Sequence, residues 1–91
     1  MNIRIQIPSP LRRECEGQAE LVADVETVRQ ALDWIKSHYP KLYRSVCYET
    51  DEIRQHVNLF VNDLFLYQCD GVTTRFQHGD TLTIMPSVSG G

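Results

Sequence analysis

Thr27-Val28-Arg29-Gln30-Ala31-Leu32-Asp33-Trp34-Ile35-Lys36-Ser37-His38-Tyr39-Pro40 is the stretch that decides the fold. Thr27 followed three residues later by Gln30 is a helix-opening signature. The hydroxyl can accept from a free backbone N–H at the helix start, and the amide can reach back. Val28, Ala31, Leu32, Ile35 and Tyr39 then recur at steps of three and four, which gathers them into one apolar stripe. Pro40 stops the continuation. Trp34 falls between the apolar and polar faces and is expected to pack partially. A helix with one apolar stripe needs a surface to cover, and the flanking sequence supplies strands.

On the N-terminal side, Ile3, Ile5 and Ile7 alternate with Asn2, Arg4 and Gln6, the period of two that puts the isoleucines on one face of a strand. Pro8 and Pro10 end it. The polar stretch Arg12 to Gln18 can turn the chain into Leu21-Val22-Ala23-Asp24-Val25, which predicts a first hairpin with a loose turn. On the C-terminal side, Leu42, Tyr43 and Val46 predict a short helical turn, and Glu49 to Gln55 reads as a mobile loop. Val57, Leu59 and Val61 form the inward face of a second alternating strand, with Phe60 on the other side. Asn62-Asp63 can turn it into a short return strand over Leu64 to Tyr67. Val72 and Phe76 are anchors beneath the next loop, and His78-Gly79-Asp80 turns the chain into Thr81 to Met85, with Leu82 and Ile84 inward. Pro86, lacking an N–H, ends the last ladder. Asp63 and Asp80 are read as turn residues that bond local backbone.

A hairpin, a crossover helix and further strands, with all helical content on one side, make an α+β fold: a mixed sheet packed on one main helix. The ubiquitin-like β-grasp is the arrangement of this kind expected here, although periodicity alone leaves other small α+β topologies open. Residues 1–91 are read as a single domain, with 86–91 as a flexible functional tail. The 91 residues, 42% of them hydrophobic, suffice for one modest core.

Twelve acidic residues against nine basic ones give a net charge of −3. With no basic block beyond Arg12-Arg13, this argues against nucleic-acid binding. No apolar run is long enough for a signal peptide or membrane span, so the expected location is cytoplasmic, with no membrane partner. Cys15, Cys47 and Cys69 have no C-x-x-C spacing, and His38, His56 and His78 lack that of a metal pair. Both sets are read as structural; for Cys69, no neighbour in sequence would depress the thiol pKa. No acid pair, catalytic triad or phosphate-binding glycine loop stands out. The chain is therefore expected to bind no cofactor of its own and not to be an enzyme.

The chemistry is expected at the other end of the last strand, in Met85-Pro86-Ser87-Val88-Ser89-Gly90-Gly91. Pro86 to Gly91, fully extended, could reach about 20 Å at roughly 3.3–3.6 Å per residue, enough to enter another protein's active site. Gly90 and Gly91 carry no Cβ, so they can pass a narrow channel in backbone conformations closed to other residues. Pro86 biases Met85 towards extended geometry and aims the tail away from the sheet. A carboxylate is a poor electrophile at neutral pH, so acyl chemistry at Gly91 requires a partner that activates it with a nucleotide.

Three motifs carry a resemblance over nearly the whole chain: Ile7-Pro8-x-x-Leu11-Arg12, Val57-Asn58-Leu59-Phe60-Val61-Asn62-Asp63, and Gly79-Asp80-x-Leu82-Thr83-Ile84-x-Pro86-x-Val88-x-Gly90-Gly91. The sequence resembles the ThiS/MoaD group of ubiquitin-like sulfur carriers, and within it the CysO-like branch. The resemblance implies that an E1-like adenylyltransferase/sulfurtransferase adenylates the Gly91 carboxylate with ATP. Sulfur from a persulfide or sulfide then replaces AMP to leave a thiocarboxylate. It further implies a sulfur-accepting enzyme, either a PLP-dependent cysteine synthase or the large subunit of molybdopterin synthase. Ser87 and Ser89 depart from MoaD-like tails, and the long Lys41 to Gln55 segment fits the CysO-like branch. The alternatives are the small subunit of molybdopterin synthase and a protein modifier that joins Gly91 to a target lysine.

Phe60 and Met85 both point away from the inward residues of their strands, so they are expected to share an outward patch. That patch, with Pro86, Ser87, Val88, Ser89 and Gly90, is the expected partner-binding surface around the reacting Gly91.

Overall fold

The computed structural model describes residues 1–86; Ser87, Val88, Ser89, Gly90 and Gly91 lie outside the described residues. Five strands, β1 (Asn2–Gln6), β2 (Glu20–Asp24), β3 (Val57–Val61), β4 (Leu64–Phe65) and β5 (Thr81–Pro86), form one sheet in the order β2-β1-β5-β3-β4. Only the central β1/β5 pairing is parallel; β1/β2, β3/β5 and β3/β4 are antiparallel. Two helices, α1 (Val28–His38) and α2 (Pro40–Val46), complete the fold together with short 3-10 turns. This is the β-grasp order.

The alternating strands bury the side chains that their period assigned to the core. Ile3 and Ile5 of β1, Leu59 of β3, and Leu82 and Ile84 of β5 are all buried, as are Val28, Ala31, Leu32 and Ile35 of the helix stripe. Trp34 is half-buried against this core and stacks on His38. Thr27 caps α1 as expected, accepting from the Gln30 N–H at 3.2 Å. Gln30 reaches back one residue further than the simplest capping box, accepting from Glu26 N–H at 2.8 Å. Removing a cap of this kind costs about 1 kcal/mol, whereas truncating a buried leucine costs about 2–5 kcal/mol. The helix is therefore held mainly by its stripe. Thr27→Ala should lower stability by about 1 kcal/mol in denaturant titration without changing the slope.

Pro40 stops α1 as expected and also starts the expected short helical turn, α2, at the first-turn position where its missing N–H is not needed. Two local expectations are corrected. The polar connection after β1 is not a loose turn, because Ser9–Cys15 forms a 3-10 helix that buries Cys15. Its Glu16 and Gly17 take positive φ of 60° and 79° to turn back into β2.

The segment read as a mobile loop, Glu49 to Gln55, is tied down. Cys47 pairs with Ile53, and Arg54 N–H donates to the Val46 carbonyl at 2.9 Å. Asp51 sits in the left-handed region at φ 69°. It accepts from the Tyr43 hydroxyl at 2.7 Å and from Lys36 Nζ at 3.1 Å, while Arg29 Nη1 donates to its carbonyl at 3.1 Å. Arg29 Nη2 also donates to the Tyr43 hydroxyl, and its Nε lies 3.4 Å from Asp33 in an ion pair without hydrogen-bond alignment.

These bonds, the Tyr43 hydroxyl first and Lys36 second, hold the Asp51 carboxyl below the usual carboxylate range. A lowered folded pKa means stability that is present above the unfolded value of about 4 and lost as pH falls through the folded one. Asp51→Asn keeps a side chain tolerant of the left-handed backbone. Its melting temperature should therefore lie below that of the unaltered chain at neutral pH and converge on it at strongly acidic pH.

Candidate functional site

β5 lies between β1 and β3, and its start is fixed from both sides. Gly79, at φ 87°, lets the turn close. Asp80 accepts from Gln77 N–H at 2.8 Å and from Asn62 Nδ2 at 3.1 Å, and Asn62 Oδ1 accepts from Thr81 N–H at 3.0 Å. Asp80 is thus the turn residue expected of it. The matching role in the β3–β4 turn belongs to Asn62, at φ 54°, while Asp63 is exposed. With its start locked and Leu82 and Ile84 buried, β5 points in a fixed direction at Pro86. Pro86 is still part of the sheet, paired in register with Val57. Pro86, read in the sequence as the first residue of the tail, is thus the last residue of β5. Proline has no N–H to donate, but its fixed φ suits an extended chain, so it can close a strand as well as follow one.

On the face of the sheet away from the helices, Met85 is opposite Asn58 and Thr83 is opposite Phe60. Phe60 and Met85 are therefore diagonal neighbours. They line one shallow concavity of about 210 Å³ with Asn62, Asp63 and Thr83. Met85 is 47% exposed, whereas Phe60 is half-buried because its ring packs on Phe65 at 4.3 Å between centroids. Phe65 in turn stacks on Tyr67 at 5.2 Å, and Tyr67 is exposed. Phe65 and Tyr67 were missed in the sequence. The signal was the two-residue Asn62-Asp63 turn, which sets Phe60 opposite Phe65 in the β3–β4 register.

Thr83 and Met85 also wall a second concavity, of about 380 Å³, whose other side is the start of the segment after β1, including Pro8 and Arg12. The end of β5 is thus a ridge between an aromatic hollow and one that carries a cation.

The thiols are not part of this surface chemistry. Burial pushes the Cys15 and Cys47 thiols up. Cys69 is half-buried, and its thiol donates to the Phe65 carbonyl at 3.6 Å. A hollow of about 440 Å³ on the α2 side is lined by Lys36, Tyr43, Cys47, Tyr48, Asp51 and Arg54. Lys36 is spent on Asp51, and Arg54 lies over the Tyr48 ring at 4.8 Å. Among the described residues no group of three or more His, Cys, Asp or Glu side chains could hold a metal, and no helix is long and apolar enough to cross a membrane.

A mixed sheet in β-grasp order, with its central strand paired on both sides, defines the ubiquitin-like class of small proteins. Within that class the chain belongs to the ThiS family, whose model matches residues 5–91. It is 29% identical over 93 residues to the Sulfur carrier protein CysO of Mycobacterium tuberculosis, covering 100% of both chains. It is 32% identical over 82 residues to Small archaeal modifier protein 3 of Haloferax volcanii, covering 87% of this chain and 88% of that one. A chain of the Amycolatopsis orientalis BexX/CysO complex superposes with a TM-score of 0.87 at 29% identity, covering 98% of this chain and 99% of that one. The ubiquitin-like β-grasp expected from the sequence is therefore the fold.

Proposed function

We propose that the chain is a sulfur carrier whose Gly91 carboxylate is the working group and which depends on partner enzymes for catalysis. The observation that carries this reading is the family match, which runs to residue 91 and so takes in the diglycine that follows β5. In the first step a carboxylate oxygen of Gly91 attacks the α-phosphorus of ATP on an E1-like enzyme, and pyrophosphate leaves. Hydrosulfide from a sulfur donor then attacks the acyl-adenylate carbonyl. The carbonyl–oxygen bond to AMP breaks, AMP departs, and a thiocarboxylate remains. The oxygen-to-sulfur exchange turns a poor nucleophile into a good one that an accepting enzyme can use.

Gly90, Ser89, Val88 and Ser87 are the segment that the partner's channel would grip, while Pro86, Met85 and Phe60 are the surface against which the partner rests. Aromatic and methionine side chains on an otherwise polar face suit such anchoring. The similarity to CysO favours delivery of the sulfur to a PLP-dependent cysteine synthase or to synthesis of a thioacid metabolite, ahead of molybdopterin synthase. A second reading, conjugation of Gly91 to a lysine, has the similarity to Small archaeal modifier protein 3 in its favour. It shares the adenylation step, so the two part only at the product.

The test is incubation with an E1-like enzyme from the same organism, ATP and sulfide, followed by intact-mass measurement. Exchange of one oxygen for sulfur supports the carrier. Acyl-adenylate formation with only amide-linked products would favour the modifier.

A further inference from the structure

The cation-bearing hollow beside Met85 has no role in the aromatic docking surface, and its chemistry is distinct. Arg12 is half-buried in the middle of the 3-10 helix, and its Nε donates to the Ile7 carbonyl at 3.1 Å. That bond fixes the plane of the guanidinium. Its two terminal nitrogens have no hydrogen-bond partner among the described residues, and no carboxylate there lies within ion-pair distance of it. Glu20 lines the same hollow without pairing with Arg12. A guanidinium anchored through Nε, with both Nη groups open among the described residues, is preorganised for a planar two-oxygen acceptor, and little side-chain entropy remains to be lost on binding. Beside the polar Gln6 and Thr83, which bond to each other, the hollow is walled by the apolar Ile7, Pro8, Ile84 and Met85, against which a charge-assisted hydrogen bond is less weakened by water.

We infer that Arg12 is a positioning residue, and that this hollow receives a carboxylate side chain of the activating enzyme while Gly91 is in that enzyme's active site. The inference rests on the proposed adenylation of Gly91. The occupant is a protein carboxylate because Arg12 offers two open donors in one plane and because the hollow is walled by Met85, one residue before the last described strand position and so beside the segment that the enzyme takes. ATP bound at Gly91 is a different matter. Arg12 lies at the base of the segment and not at its end, so its contribution is to seat the carrier and not to stabilise the reacting atoms. Pairing there would fix rotation about the β5 axis, which the aromatic hollow on the other side of Met85 cannot do alone.

The experiment is ATP–pyrophosphate exchange with the activating enzyme from the same organism, varying the concentration of the full-length carrier. Arg12→Met should raise KM about tenfold with kcat unchanged, and Arg12→Lys should recover part of the loss. KM of the unaltered chain should rise with added salt, and that of Arg12→Met should rise much less. Unchanged KM, or an equal salt response in both proteins, would overturn the inference. If Arg12→Met does not melt cooperatively, the lysine variant and the salt response of the unaltered chain decide. An unaltered chain that is not activated at all overturns the adenylation reading together with this one, whereas activation with an indifferent Arg12 removes only the role of Arg12.

Discussion

Gly91→Ala is expected to reduce thiocarboxylate formation at least a hundredfold while leaving the melting temperature unchanged. Two physical effects act together. The added Cβ sits next to the reacting carbonyl in a channel that must admit the chain end and exclude bulk water, and it closes backbone conformations that glycine alone reaches readily. A displacement of about 1 Å at a reacting centre is enough to cost about a hundredfold in rate. Stability should be untouched, because the buried side chains of the described core run from Ile3 to Ile84. Adding one uncleaved residue after Gly91 should have the same outcome, since it converts the acceptor carboxylate into an amide. Mass spectrometry of the loaded protein and a thermal melt measure the two halves of this expectation. Normal loading of either variant would remove Gly91 from the reaction.

The second large effect is expected at Phe60. Its ring packs on Phe65 and lines the hollow shared with Met85, so Phe60→Ser removes part of the wall of that hollow and the aromatic contact with Phe65. An interface anchor of this type contributes about 2 kcal/mol or more, which corresponds to a fall of about thirtyfold in kcat/KM for activation. The stability cost should be near 1 kcal/mol, because the ring is half-buried and lies outside the main core. Phe60→Leu keeps apolar contact and should lose much less activity. The comparison needs pyrophosphate-exchange kinetics and a thermal melt on the same preparations; undiminished activation of the serine variant would take Phe60 out of the docking surface.

The parts of the fold that could be read in the sequence are those in which one side chain's environment follows from its neighbours a few residues away. The Ile3-Ile5-Ile7 and Val57-Leu59-Val61 alternations, the stripe from Val28 to Ile35 and the Thr27 cap are all of this kind. The parallel pairing of β1 with β5 is not, because two half-buried strands alternate identically whichever neighbour they choose. The order of the segment after α2 was hidden for a related reason. Asp51 looks like a solvated loop residue until Tyr43, Lys36 and Arg29, eight to twenty-two positions away, converge on it.

The outward patch was half legible. Alternation assigned Phe60 and Met85 to one face, but Phe65 and Tyr67 join it only through the register set by a two-residue turn. Arg12 belonged to a recognised motif, and only the fold brings it to the hollow beside Met85. The residues expected to react, Ser87 to Gly91, lie outside the described residues, so their roles rest on the sequence and on the family.

Sulfur carriage by Gly91 is the central claim, and the most direct measurement of it is the intact mass of the protein purified from its native host under non-reducing, denaturing conditions. A population is expected in which one oxygen is replaced by sulfur, with the replacement mapped by fragmentation to Gly91 and lost after alkylation with a thiol-reactive reagent in favour of the alkylated adduct. A protein found only with its free carboxylate during sulfur-replete growth, or only in amide linkage to lysines of other proteins, would contradict it.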